Sequence, residues 1–380
     1  MKSPEHIVPS GDRAVARAII AALKQAGHDV VHVSEFQSRD GLGKIENQKK
    51  LLREAEQEID KIKSSWQKTP KDKPDLWLSY HHYYKDPDLL GYQICKIFSI
   101  PYVIAEASCR RLERCIFQTQ QNADWSCFYQ KKIEALRCAN GIIHFNMDDV
   151  EALQPFINDD TQQCFIRPFL KDKPLFDTYK KKQSSFKIRS HAGINADQIL
   201  LIGVGMMRTG DKVESWRILA RVLSHFVSRS FSKVFLLIVG DGQKKNEVMR
   251  QFKAKQQSIF MGEVSQKELS QLYMISDLLI WPAVNEAYGM ALLEAQAYGV
   301  SVLSVRRKGI ENIVHHPVTA KLVRQNSVFA LTNALRASVK SKKMLKKQAK
   351  LGAMRARRLH TKQYAAKRLE RFLNNIMTQN

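Results

Sequence analysis

Apolar residues recur along this chain in two alternating rhythms. Short runs of consecutive apolar positions suit strands buried on both faces of a parallel sheet. Between them lie stretches in which apolar residues return every three or four positions, as on amphipathic helices. Helical spacing covers 14–26, which Gly27 ends, and 46–66, where Leu51, Leu52, Ala55, Ile59 and Ile62 share one face. Strands are expected at 30–33, from 76 to the pair His81-His82, at 101–105 and at 141–145. This alternation predicts a parallel, doubly wound α/β sheet.

The stretch 167–185 breaks the rhythm with Pro168, Pro174, Lys180-Lys181-Lys182 and Ser184-Ser185. It reads as a linker. A second alternating series follows, with strands at 199–204, 234–239 and 259–262, helices from about Glu214 and over 268–274, and apolar runs at 277–282 and 300–305. The expected organisation is therefore an N-terminal Rossmann-like domain over 1–172, a linker over 173–194, a second Rossmann-like domain over 195–345 and a basic tail over 346–380. A chain of 380 residues is too long for one ordinary core, which supports two domains.

Charge narrows the partners. With 61 basic and 37 acidic residues the chain carries a formal +24, which favours a nucleotide, a nucleic acid or an anionic membrane surface. The segment 340–371 alone holds thirteen Lys or Arg and one acid, Glu370. Membrane lipid or a polyanionic glycan fits it better than nucleic acid, because aromatics are not interleaved with the charges and no nucleic-acid-binding motif appears. No apolar run reaches the roughly 20 residues of a membrane span. The first ten residues have no secretory pattern. The six cysteines show no metal-site spacing and read as free thiols of a reducing cytoplasm. The expected location is cytoplasmic, with peripheral attachment at the inner face of the membrane.

The richest chemistry lies in 285–300, between two of the apolar runs. Strand, loop, helix and strand form a βαβ unit, whose loop lies where open α/β sheets bind ligands. The helix start near Tyr288, Gly289 and Met290 offers amides to an anion. Glu286 and Glu294 flank it. Carboxylates gain nothing from a phosphate, so the pair suits a neutral, hydroxyl-rich group such as a sugar and a ribose. After the first strand of the second series come Gly205, Arg208 and Lys212, a flexible turn with two cations four apart, suited to a pyrophosphate or else a solvated loop. The next strand ends at Gly240-Asp241-Gly242. In the first domain, Ser10-Gly11-Asp12-Arg13 either brings backbone to a ligand or caps a helix. One of His81 and His82 is a candidate for the substrate side, the other reading being a structural histidine. Glu106 is a base, an acceptor contact or a capping acid.

Together these residues resemble the retaining glycosyltransferases of family 4, over most of the chain. The strongest part is Glu286-Ala287-Tyr288-Gly289-Met290-Ala291-Leu292-Leu293-Glu294, similar to the family's paired-glutamate motif with seven residues between. The resemblance implies the GT-B fold, two Rossmann-like doubly wound domains facing across a cleft with a C-terminal crossover helix around 364–372. It implies a nucleotide diphosphate sugar as donor, transfer with retention, and no bound metal or other cofactor. By the same resemblance Glu286 contacts the donor sugar, Glu294 the ribose, and Arg208 and Lys212 the diphosphate. Tyr288, Gly289 and Met290, with Gly205, Gly240 and the Gly309 turn, line the donor site. Gly11, Asp12, Arg13, His81, His82 and Glu106 belong to the acceptor side. The acceptor suggested by the charge is a glycan or lipid-linked molecule of the cell envelope, such as a lipopolysaccharide core. Met206 and Pro317 depart from the family pattern, and only Ile7-Val8 precede Pro9 where a full first strand is usual. A non-catalytic nucleotide-sugar-binding or scaffold protein with an incomplete acceptor domain is the alternative.

Overall fold

The computed structural model describes residues 11–108, 124–170, 189, 194–195, 198–227, 234–252, 258–286, 288–324 and 327–379. It divides into two compact units, one of Met1–Arg167 with Lys362–Asn380 and one of Pro168–Thr361.

The first unit contains a parallel sheet of β1 (Trp77–His82), β2 (Tyr102–Ala107), β3 (Gly141–His144) and β4 (Gln162–Phe165), in that spatial order. Its helices are α1 (Gly11–Gln25), α2 (Ile45–Lys68), α3 (Gly91–Phe98), α4 (Ser126–Arg137) and α5 (Met147–Leu153). The expected face of α2 is the one that packs, with Ala55, Ile59 and Ile62 buried beside Trp66.

The expected strand at 30–33 is not formed. Those residues carry no strand pairing, and Val31 is 72% exposed. The neighbouring chain is tied down by side chains instead: Val33 and Phe36 pack on the core, and Ser34 donates to Glu58 at 2.7 Å. The residues before Gly11, including Ile7, Val8 and Ser10, lie outside the described residues.

The second unit contains β5 (Ile199–Val204), β6 (Val234–Val239), β7 (Ser258–Gly262), β8 (Leu278–Trp281), β9 (Ser301–Val305) and β10 (Ala320–Val323). All pairs are parallel and the spatial order is β10-β9-β8-β5-β6-β7. This is the doubly wound order, and its direction reverses between β5 and β8. The connecting helices are α6 (Asp211–Val227), α7 (Lys245–Gln251), α8 (Gln266–Ile275), α9 (Met290–Ala297), α10 (Lys308–Glu311), α11 (Val328–Val339) and α12 (Lys342–Leu359). β5, β6, β8 and β9 are buried on both faces, as their unbroken apolar runs require.

The basic segment expected as one tail is two packed helices. α12 belongs to the second unit, whereas α13 (Lys362–Gln379) crosses back to the first, where it packs on α1 and β4. Arg189, placed by sequence in the linker, is buried in the second unit because its guanidinium meets Asp277 at 3.1 Å.

Gly141 shows how closely α13 fits. A Cβ there would strike Ile376 and lie 2.8 Å from Phe372. Gly141→Ala should cost about 1–3 kcal/mol in urea unfolding, the usual penalty of overpacking. The loss in the double variant with Ile376→Ala should be smaller than the sum of the two single losses; strict additivity of the two changes would contradict this packing.

Candidate functional site

The loops leaving β5 and β8 sit at the reversal of strand order, and both are built from close backbone packing. The β5 turn continues the sheet: Gly205 N–H donates to Val239 O at 3.0 Å, and Met207 N–H to Asp241 O at 2.8 Å. A Cβ on Gly205 would lie 2.6 Å from the Trp281 ring, and one on Gly240, where φ is +144°, would collide with the Gly205 carbonyl. The expected glycines at 205 and 240 are therefore required by packing of the turns against each other and against Trp281.

The β8 loop is held in strained geometry. Ala283 and Asn285 have φ of 50° and 47°, in the left-handed region that side chains disfavour. Several contacts fix them there. Ser215 accepts the Val284 N–H at 3.0 Å, Asn285 donates to Asp211 at 2.8 Å, and Arg307 Nε donates to Ala283 O at 3.1 Å. This loop delivers Glu286, whose Oε2 meets Lys212 Nζ from the first turn of α6. The Trp281 indole N–H donates to the same oxygen at 3.4 Å, and Lys212 Nζ stands 5.8 Å from the Trp281 ring centroid. Trp216 supports Trp281 from below, edge to face at 4.8 Å.

Gly289, at φ 70°, starts α9, and its carbonyl accepts the Leu292 N–H at 2.8 Å. Tyr288, Gly289 and Met290 thus stand where first-turn amides lack intrahelical partners. Glu294 projects from the second turn, half-buried, and accepts the Tyr273 hydroxyl at 3.2 Å. Burial raises its carboxyl to about 7, and the Tyr273 hydrogen bond opposes that rise. Gly309 is buried in α10, directly after Arg307 and Lys308. Arg208 is exposed, on the same turn as Gly205, and Met206 is half-buried.

In the first unit His81 and Glu106 lie opposite each other at the ends of β1 and β2. Both have left-handed φ, 71° and 64°, and their side chains approach at 3.9 Å. His82 has no atom available for a substrate. It is fully buried, its Nδ1 accepts the Asp88 N–H at 2.9 Å, and its Nε2 donates to Lys132 O at 3.0 Å. Burial and then the nearby Lys132 charge push it down to about 4, so it is neutral. Gly11 begins α1, and Arg13 lies in its first turn; the Asp12 side chain is outside the described residues.

Asp86-Pro87-Asp88 has Asp-x-Asp spacing, but both carboxylates serve the fold. Asp86 accepts from Ser38 at 2.8 Å, and Asp88 from Tyr102 at 2.6 Å and from the Gly91 amide at 2.8 Å. Among the described residues no group of three His, Cys, Asp or Glu is arranged to hold a metal ion.

Sequence reasoning missed Trp281, Ser215, Arg307 and Tyr273. Only Arg307 left a signal, in the cationic run Arg306-Arg307-Lys308 just after β9. The others are apolar-run or helix residues whose contacts join positions far apart in sequence.

Glu294 generates a pH test. Its folded pKa lies above the ordinary carboxyl value, so the folded state binds more protons between about pH 4 and 7. Stability should fall as pH rises through that window, by up to roughly 3 kcal/mol. Urea titrations across the window should be flatter for Glu294→Gln. An unchanged pH slope in that variant would refute the raised pKa.

Residues 186–355 match the family model described as glycosyl transferases group 1. An uncharacterized glycosyltransferase of Methanocaldococcus jannaschii is 26% identical over 146 residues, 38% of this chain and 36% of the relative. The N-acetyl-alpha-D-glucosaminyl L-malate synthase of Bacillus anthracis is 26% identical over 144 residues, 37% of this chain and 36% of the relative. The matched stretch thus spans about a third of these curated relatives. Solved structures align over nearly the whole chain. Sucrose-phosphate synthase from Thermosynechococcus elongatus has a TM-score of 0.72 at 16% identity, covering 99% of this chain and 97% of that one. Anabaena HepE in complex with UDP and glucose has a TM-score of 0.66 at 15% identity, covering 98% of both chains. WaaG, a glycosyltransferase involved in lipopolysaccharide biosynthesis, has a TM-score of 0.65 at 16% identity, covering 98% of both. The chain therefore has the GT-B fold, and the stretch of its second unit that matches the glycosyl transferases group 1 model is 186–355.

Proposed function

We propose that the protein transfers a sugar from a nucleoside diphosphate sugar to a hydroxyl of a cell-envelope glycan or lipid-linked acceptor, with retention at the anomeric carbon and without a bound metal. The observation that carries this reading is the Lys212–Glu286 contact at the reversal of a doubly wound sheet, between two glycine-packed turns and a helix start. A cation and a carboxylate side by side suit a ligand that is anionic at one end and hydroxyl-rich at the other. The UDP and glucose complex of HepE, which shares the fold, supports a nucleotide sugar as that ligand.

In this mechanism the bond between the anomeric carbon and the diphosphate oxygen breaks, and the electron pair leaves with the diphosphate. Lys212, Arg208 and the first-turn amides of α9 stabilise the developing charge, which is electrostatic preorganisation. Lys212 stands ready in the fold because Glu286 and the Trp281 face hold it. Glu286 exchanges that partner for sugar hydroxyls when donor binds. Glu294 accepts the ribose hydroxyls. The departing phosphate oxygen takes the acceptor proton as the new glycosidic bond forms on the same face. On the acceptor side, His81 and Glu106 supply polar groups at strand ends whose strained backbone is characteristic of functional positions.

Lys212→Ala should lower turnover of UDP-glucose, followed as UDP release, at least about a hundredfold while near-ultraviolet dichroism stays unchanged. Unchanged turnover would sink the role given to Lys212. UDP binding by the unmodified chain with neither transfer nor hydrolysis would favour the non-catalytic alternative. Glu106→Gly should relax the backbone and raise Tm by about 2–4 °C while transfer to an acceptor falls. A lowered Tm would make Glu106 a structural residue.

A further inference from the structure

α12 presents a face whose composition is not explained by solubility. It carries eight Lys or Arg and no acid over Lys342–Leu359. Leu345, Ala349, Gly352, Ala353 and Ala356 form its buried side, packed on α9 and β9. On the opposite side Lys343, Lys347, Lys350 and Arg358 are exposed, Lys346 is exposed at the margin of the buried side, and none of the five has an acidic partner among the described residues. At 100° per residue, Lys343, Lys347, Lys350, Met354 and Arg358 fall on one stripe, about 22 Å long at 1.5 Å per residue.

A solvated helix of this protein looks different. α2 has six cations and five acids, with Lys50–Glu54 and Lys61–Glu58 paired along its surface. In α12 the pairs Lys343/Lys347 and Lys346/Lys350 stand one turn apart with like charge, which weakens a helix. Two methionines lie among these charges, Met354 at 58% exposure in the middle of the stripe and Met344 at 53% on its flank. Cations with apolar side chains on one helical face suit an interface that is anionic outside and apolar just beneath. A nucleic-acid backbone would use the charges and leave the methionines in water.

We infer that the exposed face of α12 docks the second unit on a bilayer rich in anionic phospholipid. The cations meet headgroup phosphates, and Met344 and Met354 enter the headgroup–acyl boundary. α12 packs directly against α9, the helix that carries Glu294, so the bilayer lies behind that helix. The inference does not depend on the donor chemistry, because it is tested with no nucleotide sugar present.

The test is co-sedimentation of the full chain with vesicles of mixed phosphatidylglycerol and phosphatidylcholine, beside vesicles of phosphatidylcholine alone. Binding is expected only to the mixed vesicles and should weaken steeply with salt, as exposed charges do when the screening length shortens. Each cation near such a surface contributes about fivefold in affinity, so Lys343, Lys346, Lys347 and Lys350 all changed to Gln should lower it at least about a hundredfold. The control has the same charge loss on α2, with Lys49, Lys50, Lys61 and Lys68 changed to Gln, and should keep most of the binding. Met354→Gln should weaken binding without altering its salt slope. Equal losses in the two quadruple variants would overturn the inference by reducing it to net charge. So would equal binding to both vesicles, no binding to either, or an α12 effect seen with duplex DNA and absent with vesicles.

Discussion

The contact between Lys212 and Glu286 depends on nearly everything around it. A half-buried ion pair is costly to desolvate and persists only where the geometry is fixed from several sides. Here the sheet places α6 and the β8 loop at the point where strand order reverses, and the two charged groups come from opposite sides of that point. Trp281 serves both partners, as a hydrogen-bond donor to Glu286 and as an aromatic face toward Lys212. Its own position requires Gly205 to lack a side chain and Trp216 to brace it. The strained residues Ala283 and Asn285 then aim the loop, held by Ser215, Asp211 and Arg307.

The first unit resolves its polar residues in a contrasting way. Asp88 accepts from Tyr102 and from the start of α3, and His82 is neutral and wholly enclosed. These are satisfied groups that stiffen the strand ends, as buried polar networks do. The neighbouring His81 and Glu106 are in left-handed backbone on two adjacent strands. Rigid support beneath strained residues is what lets the fold keep them.

The basic C-terminal segment is divided by packing. α12 and α13 each bury an apolar face, one in each unit, and the charge excess remains on what is left exposed. Composition therefore describes the outer surface of these helices, and the small residues between the charges describe the inner one. Gly352 is an example, since a Cβ there would stand only 3.2 Å from Gln296.

Much of the fold and half of the candidate site were legible in the sequence. The apolar runs at 199–204, 234–239 and 277–282 became β5, β6 and β8 because strands buried on both faces have no polar alternation to confuse them. Glu286, Lys212, Gly205 and Gly240 were found because turns after such strands are short and carry recognisable residue types. The stretch 30–33 failed as a strand, since the chain there is held by side-chain contacts of Val33, Ser34 and Phe36 and not by ladder pairing, which its local pattern does not reveal. His82 could not be told from His81 by sequence, because adjacent strand residues point to opposite faces and one enters the core. Local pattern thus determined which segments are strands and helices and which loops carry charge. Only the tertiary structure decided that Lys212 meets Glu286, 74 residues away, that Arg307 and Ser215 hold the loop, and that burial raises Glu294. Those outcomes depend on contacts between residues distant in the chain and on exclusion of water, neither of which local periodicity encodes.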